Sequence, residues 1–212
     1  VNILAEIVDS LLGGQDERVA ELTRQAIGQG LPARQILDQG LIAGMNRVGE
    51  LFQSHEFYLP EVLLAAQAMN AGMEQLKPLL IQEGVPTRGK VVLGSVEGDL
   101  HDIGKNLVGI MLKGAGFEVV DLGTDVPPQR FVETAREQGA PVIGMSALLT
   151  TTMPGMAAVV NLIKQQGLAG RIKTIIGGAP VTEKFARQIG ADAYGYDAAS
   201  AVQRVKTLVG AD

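Results

Sequence analysis

Near residue 83 the apolar residues stop recurring at helical spacing and begin to arrive in short unbroken runs, a change that no single layer of structure accommodates. Upstream, "NILAEIVDSLL", "DERVAELTRQAIGQG", "PARQILDQGLIAGMNRVGELFQ" and "PEVLLAAQAMNAGMEQLKPLLIQ" place apolar residues three and four apart, with almost no β-branched runs. Gly13-Gly14, Gly30 with Pro32, and Leu59-Pro60 separate these segments, and Asp16 and Pro32 stand where helices start. Residues 1–84 are therefore expected to form a small four-helix bundle. The stretch "EGVPTRG", Glu83 to Gly89, collects turn formers and predicts a linker over 85–89.

Downstream, the runs "KVVLGSV", "FEVVDLG", "PVIGMSA", "IKTIIGG" and "ADAYGY" alternate with helical segments beginning near Ile103, Pro128, Met153, Thr182 and Ala198. Continuous apolar strands have to be covered on both faces. Residues 90–212 are thus expected to form an α/β domain of flavodoxin-like (Rossmann-type) architecture, a five-stranded parallel sheet with helices on both sides. In such sheets ligands bind beyond the carboxyl ends of the strands, where the winding direction reverses. A strand order of 2-1-3-4-5 would bring the loops "EGDLHDIGKN", "SALLTTT" and "GGAPVT" together at that point.

Composition removes several kinds of chemistry. The chain has no cysteine, so disulfides, thiolate metal sites and thiol catalysis are excluded, and two histidines, His55 and His101, do not make a multi-histidine metal site. A formal net charge of -5 with no cluster of Lys or Arg argues against nucleic acid and anionic membrane as partners. No apolar run reaches the roughly 18 residues of a membrane span, and no basic region with an apolar core opens the sequence. The expected location is the cytoplasm and the expected partners are small molecules or proteins, with residues able to precede Val1.

The loop "EGDLHDIGKN" is not a phosphate loop. Its glycines Gly98 and Gly104 are spaced too widely for a Walker A sequence, Asn106 replaces the hydroxyl residue, and Asp99 and Asp102 would repel phosphate. A GxGxxG fingerprint is absent after the first strand as well. In Asp99-x-His101 the carboxylate can hold one imidazole nitrogen while the other faces the crevice. That arrangement suits a general base, a single metal ligand or an ordinary polar turn. A lone imidazole is sufficient for a metal that arrives already held by a macrocycle and needs one axial ligand.

"GDLHDIGKNLV" resembles the Asp-x-His-x-x-Gly motif of cobalamin-binding domains, and Ser146-x-Leu148 and Gly177-Gly178 follow at similar spacing. The upstream "GMNRVGELF…FYLPEVLLAAQAM" resembles the helical cap that precedes this domain in cobalamin-dependent methionine synthase and in the corrinoid proteins of methylamine, methanol and methoxyarene methyltransferase systems. The likeness covers nearly the whole chain. It implies a cobalamin or related cobamide, methylated on cobalt in the loaded state.

The resemblance also implies residue roles. His101 would ligate cobalt in place of the cofactor's own lower base, with Asp99 and Thr152 completing a catalytic relay. Thr152 stands where the family often has Ser, and the hydroxyl is retained. Gly98, Leu100, Asp102 and Gly104 belong to the same binding loop. Gly177 and Gly178 would admit the displaced nucleotide tail, Ser146, Leu148 and Thr150 would line its slot, and Ala198 would lie near the corrin edge. Phe52, Leu59 and Val62 of the cap would shield the methyl-bearing face, and the linker would act as a hinge.

By the same resemblance the chain is a methyl carrier that depends on partner enzymes. A substrate-specific methyltransferase would load it, and a second one would pass the methyl group to tetrahydrofolate or a thiol. A reductive activator would serve the pair. The alternatives are a corrinoid subunit of an adenosylcobalamin mutase and a cobalamin-responsive regulator.

Overall fold

Asn2 begins the first helix because its side-chain oxygen accepts the Leu4 amide at 3.1 Å, satisfying one of the donors a helix start leaves open. The computed structural model, which describes residues 2–210, divides into two compact units. The first runs up to Pro86 and includes Gly114–Gly116; the second runs from Thr87 without those three residues. Val1, Ala211 and Asp212, the expected ends of the two domains, lie outside the described residues.

The first unit contains α1 (Ile3–Leu12), α2 (Asp16–Gly28), α3 (Ala33–Ile36), a π-helical segment (Leu37–Ile42), α4 (Ala43–Gln53) and α5 (Leu59–Gln82). Periodicity predicts one regular helix from Pro32 to Gln53, and the structure differs. The helix widens into π geometry at Leu37, and three consecutive residues, Gly40, Leu41 and Ile42, are buried together. Close packing of α5 follows from Gly72: a Cβ there would meet Leu41 at 2.7 Å and Val19 at 3.0 Å. The turn-forming stretch contributes a cap, since the Glu83 carboxylate accepts the Ala33 amide at 3.0 Å where Pro32 offers no side-chain oxygen.

The second unit alternates β1 (Lys90–Ser95), α6 (Ile103–Gly114), β2 (Glu118–Asp121), α7 (Pro128–Glu137), β3 (Val142–Ser146), α8 (Pro154–Gln165), β4 (Lys173–Gly177), α9 (Glu183–Ile189), β5 (Ala193–Gly195) and α10 (Ala198–Val209). The sheet is parallel throughout with order β2-β1-β3-β4-β5, which is the doubly wound architecture the sequence pattern predicts. Strands β1, β3 and β4 are buried along most of their length, as unbroken apolar runs require. Val92, Ile143 and Ile176 on one face join Phe131 and Val132 of α7 and Met156, Val159 and Ile163 of α8 in a single core.

Neighbouring residues of β1 serve opposite faces. Gly94 leaves room for Phe131, whose ring a Cβ would meet at 2.8 Å, while Leu93 points to the α6 side, against Gly109. The chain leaves β1 for the β2 edge and later returns to β3 on the other side, so the loops after β1 and β3 part at the switch point. The loop after β2 also runs along the end of β1: the Ser95 amide donates to Gly123 O at 2.9 Å and the Val126 amide to Ser95 O at 3.0 Å.

Candidate functional site

A tight turn carries Asp99 into the site. The Asp99 amide donates to Val96 O at 3.0 Å, and Gly98 has φ +81°, the value a type II turn needs at its third residue. The carboxylate then disappears from solvent, with 0% exposure. Its Oδ1 accepts the His101 amide at 3.1 Å and lies 2.9 Å from His101 Nδ1. Its Oδ2 accepts the Leu148 amide at 2.7 Å, the Leu149 amide at 3.4 Å and Thr152 Oγ1 at 2.7 Å.

Burial alone pushes a carboxyl up, but the hydrogen bonds from Thr152, the Leu148 amide and His101 outweigh it and hold Asp99 well below the usual carboxylate range. An ionised Asp99 can only accept, so Nδ1 of His101 carries a proton, and in the neutral imidazole the lone pair is then on Nε2. The His101 side chain is half-exposed, and Ser95 Oγ fixes its backbone by donating to His101 O at 2.7 Å. With Nδ1 held against Asp99 and the ring half-exposed, Nε2 is the nitrogen left to give a lone pair to a metal.

Beside this loop, a cavity of about 420 Å³ opens between α6, α10 and the sheet. Gly104, Ser146, Gly177, Gly178 and Ala198 all line it. Gly178 is held at φ +126° with its α-carbon so close to the Ala147 backbone that a Cβ would collide with it. Gly104 differs, since a Cβ there would meet nothing within 4 Å; space beside it belongs to the cavity.

Other residues singled out from sequence fall elsewhere. Leu148 reaches the site through its amide, and its side chain is exposed, as is that of Leu100. Thr150 is exposed and lines no part of the cavity. Asp102 is exposed and accepts from Asn106 Nδ2 at 3.0 Å. Phe52 on α4 and Leu59 at the start of α5 belong to the helical unit and are half-buried, whereas Val62 on α5 is completely buried.

Sequence reasoning missed several groups. Lys105 is buried, lines the cavity and has its ammonium taken by both Asp121 oxygens at 2.7 Å and Asn106 Oδ1 at 2.6 Å. Its only signal was a lysine in the first turn of a helix that is mostly apolar. Tyr194 and Tyr196 also line the cavity, and burial, followed by neighbouring Tyr196 and Asp197, pushes the Tyr194 hydroxyl up. Asp125 contacts the His101 loop from after β2, with no signal in the spacing of the motif. It accepts the Gly98 amide at 2.7 Å and donates its own amide to Asp99 O at 3.0 Å.

The arrangement supplies one imidazole nitrogen and an adjoining slot. Among the described residues no group of three or more His, Asp or Glu could hold a metal ion by itself, and no helix is long and apolar enough to cross a membrane. A single imidazole donor fits a metal held by a macrocycle, and the slot fits an appendage of that macrocycle.

Comparison with known proteins agrees with this chemistry. A family model described as a B12 binding domain matches residues 89–203, and a second model of the same description matches residues 3–77. The chain is 45% identical over 208 residues to dimethylamine corrinoid protein 1 of Methanosarcina acetivorans, covering 98% of this chain and 97% of that protein. It is 44% identical over 209 residues to trimethylamine corrinoid protein 1 of Methanosarcina mazei, with coverage of 98% and 97%. Among solved structures, the methanol:cobalamin methyltransferase complex of Methanosarcina barkeri matches with a TM-score of 0.86 and 31% identity, covering 99% of this chain and 80% of that one. A cobalamin-binding protein of Desulfitobacterium hafniense matches with a TM-score of 0.82 and 33% identity, covering 97% and 98%.

Proposed function

This chain belongs to the corrinoid proteins built on B12 binding domains, with a cobalamin or related cobamide as its cofactor, and from that premise we propose that it is a methyl carrier serving two partner methyltransferases. One partner would load it from a methylated substrate; the other would unload it to tetrahydrofolate or a thiol, with a reductive activator returning stray oxidised protein to use. Methylamines are the donor class to test first, because relatives at 44–45% identity are named for dimethylamine and trimethylamine. The cofactor's cobalt supplies the centre that takes up and gives up the methyl group.

The observation that carries the reading is the buried Asp99 carboxylate holding Nδ1 of His101, which leaves Nε2 to ligate. His101 would hold the metal through that nitrogen. Asp99 keeps the ring in the Nδ1–H tautomer and stays ionised, and Thr152 and the Leu148 amide hold the carboxylate from the far side. Ligation and protonation would compete for the same lone pair on Nε2. Gly104, Ser146, Gly177 and Gly178 would admit the nucleotide tail. In the cap, residues 1–84, Phe52 and Leu59 keep surface free to shield the methyl-bearing face, while Val62 supports the helix that presents Leu59. The linker 85–89 would permit the cap to move aside.

Visible spectra of wild type and His101→Ala reconstituted with methylcobalamin test the ligation. The expected result is a ligated wild type and a base-off variant; identical spectra overturn it. Carrier function is tested by single-turnover transfer of labelled methyl from a methylamine, with a methylamine methyltransferase supplied as the loading partner. A protein that instead retains an adenosyl group after purification would favour the mutase reading.

A further inference from the structure

We propose that Asp125 is a positioning residue for the axial imidazole, a clamp that holds the Asp99–His101 loop from the β2 side of the sheet. The proposal rests on the reading of His101 as that ligand. Three elements tether the loop. Ser95 at the end of β1 holds the His101 carbonyl, the loop after β3 holds the Asp99 carboxylate through Leu148 and Thr152, and the loop after β2 holds the Gly98 amide and the Asp99 carbonyl through Asp125. The third tether is made twice by one residue: Asp125 Oδ1 accepts the Gly98 amide at 2.7 Å, and the Asp125 amide donates to Asp99 O at 3.0 Å.

Both bonds depend on an unusual backbone. Asp125 has φ +53°, in the left-handed region that Asp and Asn tolerate better than other residues with side chains. That conformation turns its amide and its carboxylate toward the same loop. The Gly98 amide would otherwise be free, because the second peptide of a type II turn faces away from the chain reversal, and glycine leaves that peptide easy to rotate. Rotation would swing Asp99, whose carboxylate sets the tautomer and direction of His101. Asp125 itself is exposed and lines no part of the cavity, and it reaches His101 through its two bonds to the loop.

Three variants separate this role from simple support of the fold. Asp125→Gly keeps the left-handed backbone and removes the acceptor; Asp125→Asn keeps both; Asp125→Ala removes the acceptor and strains the backbone. Each is reconstituted with methylcobalamin beside wild type and His101→Ala, and the ratio of ligated to base-off cofactor is read from the visible spectrum at one pH. The ratio should fall about tenfold in Asp125→Gly, as loss of one charge-assisted hydrogen bond implies, and recover in Asp125→Asn. In cofactor-free protein, exchange of the Gly98 amide should quicken in Asp125→Gly and stay slow in Asp125→Asn. If Asp125→Gly matches wild type in the ratio while His101→Ala is base-off, the clamp is overturned and the ligation stands. If wild type and His101→Ala share one spectrum, the ligation fails and takes the clamp with it.

Discussion

Replacing Asp99 with Asn changes one atom, and the structure shows why the site cannot absorb it. In wild type Oδ1 serves His101, through its amide and Nδ1, while Oδ2 serves the Leu148 amide and Thr152. Asn has one accepting oxygen and one donating amide group. If its oxygen faces Leu148, its NH2 opposes the His101 amide and forces the ring into the Nε2–H tautomer, which cannot ligate a metal. If its oxygen faces His101, the Leu148 N–H is left buried against another donor, at a cost of about 1–3 kcal/mol. Thr152 escapes by turning its hydroxyl to Leu149 O, 2.9 Å away.

Cofactor-free Asp99→Asn should therefore melt lower, by roughly 2–4 °C for each kcal/mol in a protein of this size. Reconstituted with methylcobalamin, it should show a larger base-off fraction than wild type. The pH dependence has a fixed sign. Because hydrogen bonding in the fold holds Asp99 below its ordinary value, its contribution to stability is present above an unfolded carboxyl pKa of about 3.9 and is lost as the pH falls toward the depressed folded value. The gap in melting temperature between wild type and variant should thus be full at neutral pH and close below pH ~4. A variant that melts with wild type at neutral pH and ligates the cofactor equally would refute this account of the carboxylate.

Thr152→Val removes the hydroxyl from Asp99 and should cost about 1–3 kcal/mol in thermal or urea unfolding, whereas Thr152→Ser should stay near wild type; equal losses in both would mean that the methyl group, not the hydrogen bond, matters. Gly104→Ala adds a Cβ that meets no protein atom, so cofactor-free stability should hold or rise by up to ~1 kcal/mol while cobamide affinity, measured by spectrophotometric titration, falls. Unchanged affinity would show that the cofactor does not pass Gly104. Phe131→Ala empties the space above Gly94 and should destabilise the second unit by about 3–5 kcal/mol in urea, leaving the spectrum of the folded fraction unaltered.

The strand and helix alternation after residue 89 was legible because each element is written in a window of a few residues: unbroken apolar runs for β1, β3 and β4, and Pro128, Met153 and Thr182 at or just before helix starts. The parallel order followed from the same alternation, since buried strands joined by helices leave few ways to wind. The loop with Asp99 and His101 stood out because its turn glycine and both functional side chains are neighbours in sequence. Periodicity did not show the π segment at Leu37–Ile42, since an extra residue in a helical turn is set by what packs around Gly40, Leu41 and Ile42.

Tertiary structure decided most of what surrounds that loop. Thr152 was implied by the family resemblance, but the Leu148 amide that also keeps Asp99 ionised, the clamp from Asp125 and the ion pair of Lys105 with Asp121 at the slot were not. The slot wall from Tyr194 to Val205 arrives from the far end of the chain. None of these partners shares a local window with the residue it serves. A sequence specifies backbone habit over short distances, whereas hydrogen bonds and buried charges depend on which strand ends the fold places side by side.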